Sequence, residues 1–119
     1  MLPHQQTIII IMLLTELPKL ISCKKIYNLS KKKISFNSIY TNSKNIKKYS
    51  ILAILENKRF KKEYIKEAIN NGALAIITKK IFRNIPITQY QVEDINLSIS
   101  ILLNKLKSSA PLNSIAITG

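Results

Sequence analysis

Apolar and polar positions follow two different periods along this chain, and the changes of period mark out its elements. From Met12 to Ile21 the residues Leu13, Leu14, Leu17, Leu20 and Ile21 recur at helical spacing. Pro18 is tolerable only near a helix start or a break, so a short, imperfect helix is expected. Lys24 to Lys33 is rich in lysine and reads as a solvated connector. Ile34-Ser35-Phe36-Asn37-Ser38-Ile39-Tyr40 then alternates large apolar with small polar residues, the pattern of a half-buried strand, and runs into the turn formers Thr41-Asn42-Ser43. Ser50 to Leu55 is a continuous apolar run of strand length, which predicts a buried strand closed by the polar loop Glu56-Asn57-Lys58-Arg59.

Glu63 to Asn71 places Tyr64, Ile65, Ala68 and Ile69 on one helical face, with Gly72 at the C′ position where helices commonly end. Ala73 to Thr78 is a second buried strand. A strand–helix–strand unit this short implies a parallel pair with the helix packed across it. Pro86 to Tyr90 is expected to be a short edge strand, because a proline at its start removes a ladder donor. Asp94 is a suitable N-cap for a helix whose Ile95, Ile99, Leu102, Leu103 and Leu106 share a face, with Lys105 and Lys107 near its C-terminus. Ser108-Ser109-Ala110-Pro111 reads as a linker. Beyond it Ser114-Ile115-Ala116-Ile117-Thr118-Gly119 is a β-branched run ending on glycine, the form of a strand that delivers the chain into a phosphate-binding loop. The fold class expected is α/β, a small mixed sheet with flanking helices.

Length and composition narrow this further. A chain of 119 residues is one domain with a working core. Its formal charge of +13 points on its face to a polyanion, an anionic membrane surface or a phosphorylated ligand. The chain also carries 23 isoleucines, 17 lysines and 11 asparagines, with lysines spread throughout, which favours a codon bias towards A+T over a patch selected for nucleic acid. Its 5 tyrosines do not interleave with basic residues, so no nucleic-acid partner is expected. Cys23 is the single cysteine, so no internal disulfide or multi-thiolate metal site is expected and a reducing cytoplasm fits best. The lone His4 reads as incidental. The apolar run Thr7 to Leu14 is much shorter than the roughly 20 residues of a membrane span, and Met1 to Gln6 lacks the basic residues of a signal peptide. Residues 1–11 are expected to be an upstream extension, with Met12 the natural start.

No catalytic constellation is visible: there is no Ser/His/Asp set, no Cys/His pair in register and no carboxylate pair suited to acid–base work. What the residues offer is a binding architecture. Ser43 after one strand and Asn57-Lys58-Arg59 after the next stand where the ends of neighbouring strands can converge, presenting hydroxyl, backbone and cationic donors to a diphosphate or uracil-type ligand.

Three segments then carry a family resemblance. Tyr40-Thr41-Asn42-Ser43-Lys44-Asn45-Ile46-Lys47-Lys48-Tyr49-Ser50-Ile51-Leu52-Ala53-Ile54 resembles the T-D-S-R-x-V-x-x-G-D-L-F-V-A-L opening of the Mur ligases, which extend UDP-N-acetylmuramoyl peptides. Tyr64 to Ile77 is similar to their F-I-x-x-A-x-x-x-G-A-x-A-V-V segment without gaps, and Ser114 to Gly119 to the approach to their G-T-N-G-K-T loop. Leu13-Leu14-Thr15-Glu16-Leu17 resembles a common L-S-E-L start, so the likeness covers roughly residues 12–119.

The resemblance implies that residues 12–110 are an N-terminal domain binding the uridine diphosphate end of the substrate, and that 111–119 are the linker and first strand of a central ATP-binding domain. Thr41, Ser43, Asn57, Lys58 and Arg59 would contact the uridine part, and Gly119 would open the ATP loop. No catalytic or metal-binding residue is implied among these. ATP and Mg²⁺ serve the intact family, but neither is expected to bind this fragment, and no ligase or ATPase activity is expected of it alone. The implied setting is cytoplasmic peptidoglycan synthesis, and with it cell-wall biogenesis, cell shape and division, by a monomer whose substrate is UDP-N-acetylmuramoyl-dipeptide. The likeness is greatest to the MurE type, which activates the substrate's D-glutamate as an acyl phosphate for attack by a diamino acid's amine. The alternatives are the ligase that adds D-alanyl-D-alanine, or a non-enzymatic remnant of a decayed gene.

The chain also departs from the family pattern. Asn42 stands for aspartate and Lys44 for arginine, and the glycines and aspartate of a G-x-x-x-D-G loop are replaced in Glu56-Asn57-Lys58-Arg59-Phe60-Lys61. Glycines that permit a positive φ are not exchanged for Glu and Lys without reshaping that loop.

Overall fold

The computed structural model describes residues 12–13, 16–29 and 35–109. The readings made for residues 1–11, for residues 30–34 and for residues 110–119, Gly119 included, lie outside them. In chain order the elements are β1 (Met12–Leu13), the single helical turn α1 (Leu17–Leu20), β2 (Lys25–Tyr27), β3 (Ser35–Phe36), β4 (Ser38–Tyr40), a 3₁₀ turn (Ser43–Asn45) and β5 (Ser50–Ala53). Helix α2 (Glu63–Asn70), β6 (Ala73–Thr78), β7 (Thr88–Gln91) and helix α3 (Ile95–Ser109) follow. Five strands form one sheet in the order β2-β7-β6-β5-β4, in which β4 to β7 run parallel and β2 pairs antiparallel with β7. β1 and β3 form a separate antiparallel pair.

The continuous apolar runs become strands covered on both faces, as parallel sheets require. Every residue of β5 is buried. Ile51 and Ala53 join Ala75, Ile77 and Tyr90 on one face, packed with Leu17 of α1 and Ile95 and Leu102 of α3. Leu52, Ile54 and Ile76 face the other way, onto Ile65 and Ala68 of α2. The register shifts between Ser50 and Ile51, whose partners are Ala73 and Ala75. The extra residue, Leu74, packs with the same cluster as Ala75, as a β-bulge allows.

The β5–α2–β6 unit matches its expected boundaries closely, and so does the start of α3, where Asp94 Oδ1 accepts from the Leu97 N–H at 3.0 Å. Four readings need correction. Residues 12–21 are not one helix: Met12–Leu13 pairs with β3, and α1 is a single turn that carries Pro18 at its N-terminal end and stops before Ser22, whose φ is +52°. The lysine-rich connector contains β2, where only Ile26 packs on the core between the exposed Lys25 and Tyr27. Lysine on an edge strand discourages pairing with other chains, so the charge disguised a strand as a loop. β7 is not an edge strand, because Pro86 lies before its first residue and β2 covers its free side. Finally, α3 continues to Ser109 where a linker was expected from Ser108. The alternating segment before Thr41 is also divided at Asn37, whose N–H leaves the ladder for the Tyr49 carbonyl at 2.9 Å.

Gly72 ends α2 with φ +109°, and a Cβ there would lie 3.0 Å from Lys48 Cα and 3.2 Å from Lys48 N. Both obstacles are backbone, so neither can swing aside. Gly72→Ala should therefore cost about 2 kcal/mol or more, combining a disfavoured φ with a backbone clash, readable as a lower urea midpoint. Tyr90 is fully buried, and its phenol is pushed up to about 12, first by desolvation and then by the neighbouring Cys23 thiolate. Because the folded state holds this proton more tightly than the unfolded chain, its contribution is complete below about pH 10, the ordinary value, and is lost as pH rises towards 12. Alkaline unfolding followed by circular dichroism should lose that part of its pH dependence in Tyr90→Phe.

Candidate functional site

Parallel pairing of β4 with β5 brings the C-terminal ends of both strands to the same side of the sheet, where ligand crevices of α/β folds form. A cleft of about 600 Å³ opens there. Thr41, Asn42, Ser43 and Lys44 come to it from the turn after β4, and Leu52, Ile54, Leu55, Asn57 and Arg59 from β5 and its loop. Phe60 and Tyr64 complete the lining.

Each loop is held by local bonds. Asn42 caps the 3₁₀ turn, its Oδ1 accepting from the Lys44 N–H at 2.9 Å, while the Asn45 N–H donates to the Asn42 carbonyl at 3.0 Å. Asn57 does the same after β5: its Oδ1 accepts from the Arg59 N–H at 2.9 Å and its carbonyl from the Phe60 N–H at 3.0 Å. These are Asx turns, in which a side-chain carbonyl substitutes for a backbone acceptor. None of residues 56–61 has a positive φ. Asparagine thus closes without glycine a loop that the Mur ligase pattern builds with two. The glycine of the pattern's opening segment falls at Tyr49, which does adopt a left-handed φ of +65°.

Of the residues singled out from the sequence, the structure brings Thr41, Ser43, Asn57 and Arg59 together in this cleft. Lys58 is exposed in the same turn and does not line it, and Gly119 lies outside the described residues. Ser43 is almost fully buried, and its Oγ–H donates to Glu67 Oε1 on α2 at 2.5 Å.

The sequence reading passed over the aromatic wall. Phe60 and Tyr64 stand edge to face with ring centres 6.2 Å apart, and Phe82 packs on Phe60 at 5.7 Å. Their i, i+4 spacing at the start of a helix was the available signal. The cleft therefore has an apolar floor from Leu52 and Ile54, an aromatic side, and cations at Lys44 and Arg59, with no acidic residue in its lining. That combination suits a flat ring joined to an anionic group.

No protein-family model matches the chain, and no curated protein does. Among solved structures it is similar to the UDP-N-acetylmuramoylalanyl-D-glutamyl-2,6-diaminopimelate–D-alanyl-D-alanyl ligase from Acinetobacter baumannii, with TM-score 0.61 and 18% identity over 74% of this chain and 20% of that one. Two crystal structures of MurF from the same organism match with TM-scores of 0.62 and 0.61, each at 18% identity, over 74% of this chain and 19% of theirs. What is shared is the fold. The small mixed sheet with flanking helices expected from the sequence is the one observed, and the chain spans about a fifth of the length of these ligases.

The aromatic wall has its own support. The buried Gln89 of β7 donates through Nε2 to the Phe82 carbonyl at 2.8 Å and accepts through Oε1 from the Phe82 N–H at 2.9 Å, acting as a one-residue extension of the sheet for the loop between β6 and β7. Thr88 Oγ1 donates to the Asn28 carbonyl at 2.6 Å, and Asn28 Nδ2 donates to the Ile85 carbonyl at 2.8 Å, pinning the far end of that loop. Gln89→Leu strands two backbone groups at Phe82 and should destabilise the fold by about 2–6 kcal/mol, at roughly 1–3 kcal/mol for each unmet group, measured by chemical denaturation.

Proposed function

We propose that this chain is the domain of a Mur ligase that binds the uridine diphosphate end of a UDP-N-acetylmuramoyl peptide, within an ATP-dependent ligase of peptidoglycan synthesis in the cytoplasm. The observation that carries this reading is the convergence of Thr41, Ser43, Asn57 and Arg59, four of the five positions matched to the family's uridine contacts, in one cleft at the ends of β4 and β5. Thr41 and Ser43 lie on the turn after β4, and Asn57 and Arg59 on the loop after β5, so only the parallel pairing of the two strands brings them together.

In this reading the uracil lies against the apolar and aromatic lining, and the diphosphate meets Lys44 and Arg59, with Lys58, Lys61 and Lys62 adding positive potential from the exposed loop. Charge-assisted bonds from a guanidinium to phosphate oxygens are roughly twice as strong as neutral ones, so Arg59 is the principal anchor. Binding, rather than chemistry, is the task assigned to these residues. Among the described residues no group of three or more His, Cys, Asp or Glu is placed to hold a metal ion, and no helix is long and apolar enough to cross a membrane. The ATP and Mg²⁺ of a Mur ligase would belong to residues other than these.

The lengths of the loops favour the MurE type, which takes UDP-N-acetylmuramoyl-L-alanyl-D-glutamate, whereas the helical start expected at Met12 is reduced to the single turn α1 and no longer speaks for it. The neighbouring structures favour the D-alanyl-D-alanine-adding step, since all three are MurF ligases. Both substrates share the UDP end, so the proposal for the cleft is the same in either case. Calorimetry should show saturable binding of UDP-N-acetylmuramoyl-dipeptide, weakened about tenfold in Arg59→Ala and reduced by salt, as loss of about 1.4 kcal/mol of charge-assisted bonding requires. Silence at millimolar ligand would overturn the proposal and favour a remnant that has kept only the fold.

A further inference from the structure

Ser43 is fastened to α2 at two points one helical turn apart. Its Oγ–H donates to Glu67 Oε1 at 2.5 Å, and its carbonyl accepts from Asn71 Nδ2 at 3.2 Å. The first distance is typical of a hydroxyl bound to a carboxylate, about 2.5–2.7 Å. An ionised carboxylate has no proton to give, so the serine must be the donor in this pair. A serine hydroxyl has one proton and two lone pairs. With the proton committed to Glu67, only lone pairs remain for anything that enters the cleft, while the bond from Asn71 fixes the backbone that carries the hydroxyl.

Glu67 itself does not line the cleft, whereas Ser43 does. We propose that Glu67 is a positioning residue that makes Ser43 an obligate hydrogen-bond acceptor, so that the cleft selects a base edge that donates, such as the imide N–H of uracil, over one that accepts, such as the bare ring nitrogen of cytosine. This rests on the nucleotide reading of the cleft. Two acceptors facing each other repel and form no bond, which is how polar sites discriminate between ligands of nearly identical shape. The surrounding structure supplies shape and charge, and the Ser43–Glu67 bond supplies the polarity.

The test is calorimetric titration of the 119-residue chain with UDP and with CDP, in the wild type and in Glu67→Leu and Glu67→Ala, both compatible with a helix. The wild type should bind UDP at least about tenfold more tightly than CDP. Both variants should bring that ratio close to one, because a released hydroxyl can donate as well as accept. A purely structural role for Glu67 would weaken both ligands alike and leave the ratio unchanged, which would overturn the proposal. Equal affinity for the two nucleotides in the wild type would overturn it without recourse to any variant. Failure of the wild type to bind either nucleotide would remove the nucleotide reading itself, and this proposal with it.

Discussion

Burial of both faces of β5 is the constraint on which the rest of this structure depends. Ile51 and Ala53 need cover on one side, and Leu52 and Ile54 need it on the other. A strand of this kind cannot lie at a solvated surface, so helices must occupy both faces of the sheet, and the chain must cross over to return a parallel neighbour. α2 supplies that crossover and α3 the opposite layer. Once β4, β5 and β6 run in one direction, their C-terminal ends open on a common side, and the turns that follow them meet there without any further instruction.

The loops at that edge are then fixed by short-range bonds instead of burial. Asn42 and Asn57 each close a turn through their own side chains. Gly72 lets the end of α2 approach the Lys48 backbone closely, and Asn71 and Glu67 reach back from the same helix to the turn after β4. α2 is therefore both the cover for one face of the sheet and the frame for one wall of the cleft. A change on its buried face and a change on its Ser43-facing side should reach the cleft by different routes, the first through packing and the second through hydrogen bonding.

What could be read from the sequence follows from this division. Elements specified by local pattern were legible: the apolar run at Ser50, the amphipathic Glu63–Asn70 segment ending at Gly72, the β-branched Ala73–Thr78 run and the Asp94 cap. Elements specified by partners were not. β2 has three residues with one apolar side chain between two exposed ones, and only its pairing with β7 makes it a strand. Pro86 suggested an edge because proline cannot join a ladder, but the ladder begins two residues later, at Thr88. In the cleft, Thr41, Ser43, Asn57 and Arg59 were legible as motif positions, whereas Glu67, Asn71 and Gln89, which support it from behind its lining, were not. Their roles arise from contacts 7 to 28 residues distant in sequence, which no local pattern encodes.

The central claim is that the ends of β4 and β5 form the ligand site. Following backbone amide resonances of the isotope-labelled chain during titration with UDP-N-acetylmuramoyl-dipeptide tests it most directly. The account predicts perturbations concentrated at Thr41–Lys44 and Asn57–Phe60, with β2 and the opposite end of β7 unaffected. Perturbations centred instead on the crevice beside Tyr27, Arg83 and Ile85, or spread evenly over the exposed lysines, would contradict it.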